Sequence, residues 1–138
     1  AMPKITVAKQ ASDVHTPLLN QMIVLGFMTH YDMQAHIEKV RKIYAAKLGL
    51  TIDGLERHLK GKVTYIPPQG GLFVLCRLPD GADMPGFCKR ALEHGVAVVP
   101  GSTFNADPNQ GSQYFRINFS TPTDAQLVKG LEILGGLL

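Results

Sequence analysis

Arg116 stands inside a short run of strand-forming residues, Phe115-Arg116-Ile117-Asn118-Phe119-Ser120. A guanidinium between two apolar neighbours must reach solvent, pair with a carboxylate, or receive an anionic ligand, because a buried and uncompensated charge is too costly. Residue type alone favours solvent or an ion pair. The third option is the one that carries chemistry. The planar fork gives two parallel hydrogen bonds to one carboxylate and fixes its orientation as well as its position. Asn118 and Ser120, beside it, suit local hydrogen bonding.

The remaining reactive residue types form no comparable group. His15, His30, His36, His58 and His94 are scattered, with no helical i, i+4 pair and third ligand. Cys76 lies in an apolar run and Cys88 in a helical stretch. Their spacing fits no metal or redox motif, so they read as reduced, packed thiols of a cytoplasmic protein. Asp80 and Asp83 are close in sequence, but in a turn and a helix start, where capping accounts for them. Lys39, Arg41 and Lys42 read as a solvated helix face. The segment Val98 to Phe104 matches neither Gly-x-x-x-x-Gly-Lys-Ser/Thr nor Gly-x-Gly-x-x-Gly, and is read as a loop. No serine nucleophile elbow occurs.

A chain of 138 residues with 45% hydrophobic and 18% charged residues is one folded domain with a real core. Tryptophan is missing and aromatics are few, so that core is aliphatic. The net charge of +3 does not by itself indicate nucleic acid. No window approaches the roughly 18 apolar residues of a membrane span. The start, Ala1-Met2-Pro3-Lys4, lacks the apolar core of a signal peptide, and Ala1 reads as a residue left by expression.

The elements that must position Arg116 follow from periodicity and punctuation. Ala1 to Gln10 is mixed, a strand remnant or tail. Ser12 is the expected N-cap of a helix carrying Val14, Leu18, Met22 and Leu25, with Leu19, Ile23 and Phe27 on its other faces. Such a helix must be covered on several sides. Asp32 is expected to cap a second helix with Met33, Ile37, Val40, Tyr44 and Leu48 on its apolar stripe. Gly49 and Gly54 are expected to kink or break it before Leu55 and Leu59 resume the pattern. Val63 to Ile66 is a short strand ended by Pro67-Pro68. Leu72 to Leu78 is a near-continuous apolar run, expected to be a central strand buried on both faces. Phe87, Ala91 and Leu92 mark a helix ending at Gly95. Val96 to Val99 is a strand, Asp107 to Gly111 a loop, and Tyr114 to Phe119 a strand. Thr123 or Asp124 starts the last helix, which runs to Leu138. The expected class is α+β: a small mixed sheet with helices on one face, preceded by a long helix.

Three runs recur in a telling order: Pro68-Gln69-Gly70-Gly71-Leu72-Phe73, then Gly95-Val96-Ala97-Val98-Val99-Pro100-Gly101, then Phe115 to Ser120. In this order and at these spacings the chain, from about Ile5 onward, resembles the small C-terminal domain of the pyridoxal-phosphate-dependent aminotransferases of fold type I. Around Lys9-Gln10 and His15-Thr16-Pro17 it is most similar to the aminoadipate and aromatic aminotransferase subgroup. The resemblance implies a reaction between an amino acid and a 2-oxo acid, with Arg116 gripping the substrate α-carboxylate. It also implies that Phe73, and Gly71 at the preceding turn, lie along the substrate site, although a core phenylalanine and a plain turn glycine remain open readings.

The same resemblance sets the expected organisation. Residues 1–138 are one domain, with a tail and interdomain-type helix at 1–30 and the small domain at 31–138. The family keeps its Schiff-base lysine, the acidic partner of the pyridine nitrogen and the phosphate anchor in a large domain upstream. None of the nine lysines here sits in the family's Ser-x-x-Lys setting. No catalytic, cofactor-binding or metal residue is therefore assigned, and the chain alone is expected neither to transaminate nor to hold pyridoxal 5'-phosphate tightly. The uncovered first helix implies a homo-oligomer, without nucleic-acid or membrane partners. Two alternatives share the pattern: the effector domain of a winged-helix regulator built on an aminotransferase-like body, and a free-standing α+β binding module.

Overall fold

The computed structural model describes residues 2–13, 15–107 and 109–138. Ala1, Val14 of the expected first helix, and Pro108 of the expected loop lie outside the described residues. The chain divides into two compact units, Ala1–Val40 and Arg41–Leu138.

In the first unit, Met2–Ser12 forms helix α1, where a strand or tail is expected. Lysine, alanine and glutamine favour a helix, and Pro3 is tolerated in the first turn. Ser12 closes this helix rather than capping the next, with its Oγ donating to the Ala8 carbonyl at 3.0 Å. Helix α2 is Leu18–His30. It starts after Pro17 because proline in a helix interior lacks the N–H and clashes with the preceding turn. Its apolar side chains, whose spread around the helix calls for cover on several sides, are uncovered among the described residues: Leu19, Met22, Ile23 and Leu25 are all at least 60% exposed. Asp32 caps the next helix as expected, its Oδ1 accepting from the Ala35 N–H at 2.9 Å.

That helix, α3, spans Met33–His58 without interruption. Gly49 and Gly54 do not break it. At Gly54 the reason is packing: a Cβ there would lie 2.4 Å from Leu131 Cδ1. Thr51, Leu55 and Leu59 repeat every four residues and are fully buried.

The second unit carries strands β1 (Thr64–Tyr65), β2 (Phe73–Arg77), β3 (Val99–Pro100) and β4 (Tyr114–Asn118), and helices α4 (Met84–Glu93) and α5 (Asp124–Gly136). The sheet order is β1-β2-β4-β3. The α+β architecture is as expected, but all three strand pairings are antiparallel, so the sheet is not mixed. Pro100 is accommodated because β3 is an edge strand that pairs on one side only.

Helices α3, α4 and α5 supply one side of the core. The core is not purely aliphatic as expected: Leu55, Phe87, Ala91, Leu127, Leu131 and Leu134 pack with Val74, Cys76, Phe115 and Ile117 from the sheet, and Phe87 and Phe115 are fully buried. Thr123 caps α5 in a reciprocal box with Gln126. Burial pushes the Cys76 thiol up to about 12 and raises that of Cys88 as well, so both behave as packed thiols. No described helix is long and apolar enough to cross a membrane.

Strand β2 departs from expectation in a way that matters for function. It is not buried on both faces. Val74 and Cys76 are fully buried, whereas Phe73 and Leu75 are 36% and 44% exposed. The sheet has a helix-covered face and an open one.

Candidate functional site

The antiparallel register decides which side chains share the open face. Phe73 pairs with Asn118, Leu75 with Arg116, and Arg77 with Tyr114. On the other side of β4, Val99 pairs with Arg116. Arg116 thus sits in the middle of the sheet on its open side, half-buried, with Phe115 and Ile117 turned into the core.

Its surroundings are aromatic rather than acidic. The guanidinium carbon lies 3.9 Å from the centroid of the Phe73 ring and 4.6 Å from that of Phe104. Among the described residues no carboxylate forms an ion pair with Arg116. Its Nε is buried without a hydrogen-bond partner. Of the three fates open to this guanidinium, neither full solvation nor pairing within the chain is the one adopted. Cation–π attraction offsets part of the desolvation, and the hydrogen-bonding capacity is left for something else. A guanidinium so placed has the geometry to bind and orient an anion.

Phe73 and Arg116 are therefore brought together. Gly71 contributes through its backbone: its φ is +82°, and nothing lies within 4 Å of where a Cβ would be. The left-handed turn it makes aims the chain into β2, two residues before Phe73. Asn118 and Ser120 are tied to one another, since Asn118 Oδ1 accepts from the Ser120 N–H at 2.8 Å and from its hydroxyl at 2.9 Å. That arrangement shapes the turn after β4.

Phe104 is the residue that sequence reasoning missed. It ends the 3-10 helix Gly101–Phe104, in a segment expected to be a loop. That short helix is pinned against β4, because a Cβ on Gly101 would meet Ser112 Oγ at 2.5 Å and the Tyr114 carbonyl at 2.8 Å. The only signal in the sequence is an aromatic residue five positions after Val99, the cross-strand partner of Arg116.

The other reactive residues form no group with Arg116. Asp83 caps α4 by accepting from the Gly86 N–H at 3.0 Å, as expected, whereas Asp80 pairs with Arg77. Among the described residues no cluster of three His, Cys, Asp or Glu side chains could hold a metal. A cavity of about 570 Å³ opens between α5 and the Gly95–Val98 segment, with Ile117, Leu127 and Leu134 in its walls. Arg116 is not among its lining residues.

Residues 6–134 match the model of aminotransferase class I and II. The chain is 36% identical over 138 residues to a 2-aminoadipate transaminase of Thermus thermophilus, covering all of this chain and 34% of that protein. It is similar, with a TM-score of 0.89 and 36% identity, to the crystal structure of LysN, the α-aminoadipate aminotransferase of the same species, complexed with N-(5'-phosphopyridoxyl)-L-leucine. That match covers 99% of this chain and 35% of LysN. Kynurenine aminotransferase of Pyrococcus horikoshii gives a TM-score of 0.87 at 29% identity, over 98% of this chain and 33% of that one. The chain spans about a third of the length of each of these relatives. With a family match across nearly its whole length, the chain belongs to the class I and II aminotransferases.

Proposed function

We propose that this chain is the part of a pyridoxal-phosphate-dependent aminotransferase that receives the α-carboxylate of the amino-acid or 2-oxo-acid substrate, with Arg116 as the receiving group. The observation that carries this reading is a half-buried guanidinium on an open sheet face, flanked by Phe73 and Phe104 and with no acidic partner among the described residues. An arginine so placed has no carboxylate counter-charge among the described residues and a restrained orientation, which suits a planar two-oxygen ligand. Orientation is what amino-group transfer needs from a carboxylate grip, since the substrate must be held with its reacting bond aligned.

Among the described residues no lysine is set apart as a Schiff-base group would be. Lys47 donates to the Pro122 carbonyl and lies 3.4 Å from Asp124. Lys62 donates to the Gly135 carbonyl at 2.7 Å. Lys9, Lys60 and Lys129 pair with Asp13, Glu56 and Glu132. Lys4, Lys39, Lys42 and Lys89 lie on exposed helix surface. In this proposal the chain binds and orients substrate, and the cofactor is held by other parts of the protein. The uncovered apolar surface of α2 supports a homo-oligomer, and the buried, unbridged Cys76 is in keeping with a cytoplasmic location.

The test is Arg116→Lys in the full-length protein. Losing the bidentate fork lowers kcat/KM for the amino donor by roughly ten- to hundredfold, the size of one or two hydrogen bonds to a charged group. A variant with unchanged kcat/KM would remove Arg116 from the substrate site. A regulator reading would gain support from a helix-turn-helix encoded upstream together with undetectable transamination by the whole protein.

A further inference from the structure

The carboxylate role proposed for Arg116 requires a guanidinium, but it does not require a second aromatic ring. The structure supplies one nonetheless. Phe73 opens β2 and Phe104 closes the 3-10 helix after β3, and these two strands flank β4 on opposite sides. The two rings therefore reach Arg116 from opposite flanks, at 3.9 Å and 4.6 Å from its guanidinium carbon. Nε is buried and has no hydrogen-bond partner, so the end of the group that carries the two Nη atoms is the part left for a ligand.

We infer that Phe104 is a positioning residue for carboxylate recognition: with Phe73 it fixes the plane of the Arg116 guanidinium, so that a carboxylate is met end-on by both Nη groups. This rests on the reading of Arg116 as an anion-receiving group and adds the device that orients it. An unrestrained arginine side chain samples many rotamers, and that freedom is lost when it binds. Aromatic rings on both flanks remove much of it beforehand. They also compensate the charge without a competing carboxylate from the protein, which would have to be displaced by the substrate. Phe104 is 56% exposed, so filling the core is not its main contribution. The fixed seat of its helix, with Gly101 packed tightly against Tyr114, keeps the ring in place.

The experiment follows the side-chain ¹⁵N–¹H resonances of Arg116 in the isotope-labelled chain, assigned by their loss in Arg116→Lys, during titration with sodium acetate against sodium chloride at equal ionic strength. Acetate shifts these resonances in the unaltered chain. Phe104→Leu raises the apparent acetate Kd about fivefold, and Phe104→Tyr, which restores a ring, returns it to within about twofold of the original. If Phe104→Leu binds acetate as tightly as the unaltered chain, the positioning role fails while the anion site stands. A Phe104→Leu chain with a collapsed amide spectrum likewise overturns the inference, by showing a structural role in its place. If acetate moves no Arg116 resonance even in the unaltered chain, the carboxylate reading itself fails and this inference falls with it.

Discussion

Arg116 and Phe73 lie on neighbouring antiparallel strands, Phe73 two residues from Leu75, the cross-strand partner of Arg116, with the guanidinium carbon 3.9 Å from the ring centroid. Diagonal neighbours on one sheet face are within reach of long and aromatic side chains, so the pair is a direct consequence of the register. A one-residue slip of β2 would send Phe73 to the helix-covered face and leave Arg116 facing an aliphatic one.

The contact is expected to be measurable. Phe73→Leu keeps much of the apolar volume but loses the ring, and should destabilise the chain by about 1 kcal/mol, the worth of a partly desolvated cation–π pair. In Arg116→Lys the same Phe73→Leu change should cost less, because the flat guanidinium is already gone. A double-mutant cycle by urea unfolding reads the coupling. Equal costs in both backgrounds would show that the ring's contribution does not depend on the flat guanidinium.

Cys76 makes stability depend on alkaline pH. Its thiol ordinarily ionises near 9.0 and is pushed up to about 12 by burial in the folded chain. Below pH 9 both states keep the proton, and the stabilisation is fully present. Above it the unfolded chain releases the proton first, so stability falls between about pH 9 and 12, at up to about 1.4 kcal/mol per pH unit. Cys76→Val should flatten that part of the profile relative to the unaltered chain. Identical slopes from pH 9 to 10.5 would contradict the burial argument. Thiol labelling at pH 8 should also be much faster at Cys88, which is only half-buried, than at Cys76.

How far the sequence spoke for itself differs from element to element. Helix α5, with Thr123 at its cap, and helix α4, with Asp83 at its cap, were legible because capping is a local signal. Arg116 was legible as a residue with unusual surroundings, and the ordered runs around it pointed to the family. The open face of β2 was not, since Phe73-Val74-Leu75-Cys76 reads as continuously apolar and only tertiary structure tells which alternate residues are uncovered. Phe104 was hidden for a different reason. It meets Arg116 because β3 and β4 are neighbours in the sheet, and single-sequence reading does not supply strand order. The unbroken α3 shows the reverse case: helix propensity at Gly54 is overridden by the close approach of Leu131.

That override yields two glycine substitutions in one helix with opposite signs. At Gly49 nothing lies within 4 Å of a new Cβ, so Gly49→Ala should stabilise by up to about 1 kcal/mol through helix propensity. At Gly54 the same methyl would meet three atoms of Leu131 between 2.4 and 3.3 Å, in a side chain only 2% exposed. Overpacking of this kind costs about 1–3 kcal/mol and outweighs the propensity gain. Urea midpoints moving in opposite directions are the expected result. A stabilised Gly54→Ala chain would mean that α5 can back away from α3.

The proposed division of labour between this chain and the rest of the protein predicts how the chain meets pyridoxal phosphate by itself. A Schiff-base lysine in a working enzyme is set apart by a site that holds the cofactor's phosphate and ring beside it. Lys47 and Lys62 instead spend their ammonium groups on the Pro122 and Gly135 carbonyls, and the other lysines are paired or sit on exposed helix surface. Borohydride trapping of the chain with pyridoxal phosphate should then label several lysines weakly, well below one pyridoxyl group per chain, as peptide mass spectrometry would show. Occupancy should rise with reagent concentration without saturating, the mark of surface amines reacting independently. A single lysine labelled stoichiometrically and with saturation would place a cofactor seat within these 138 residues, and the division of labour would have to be redrawn around that residue.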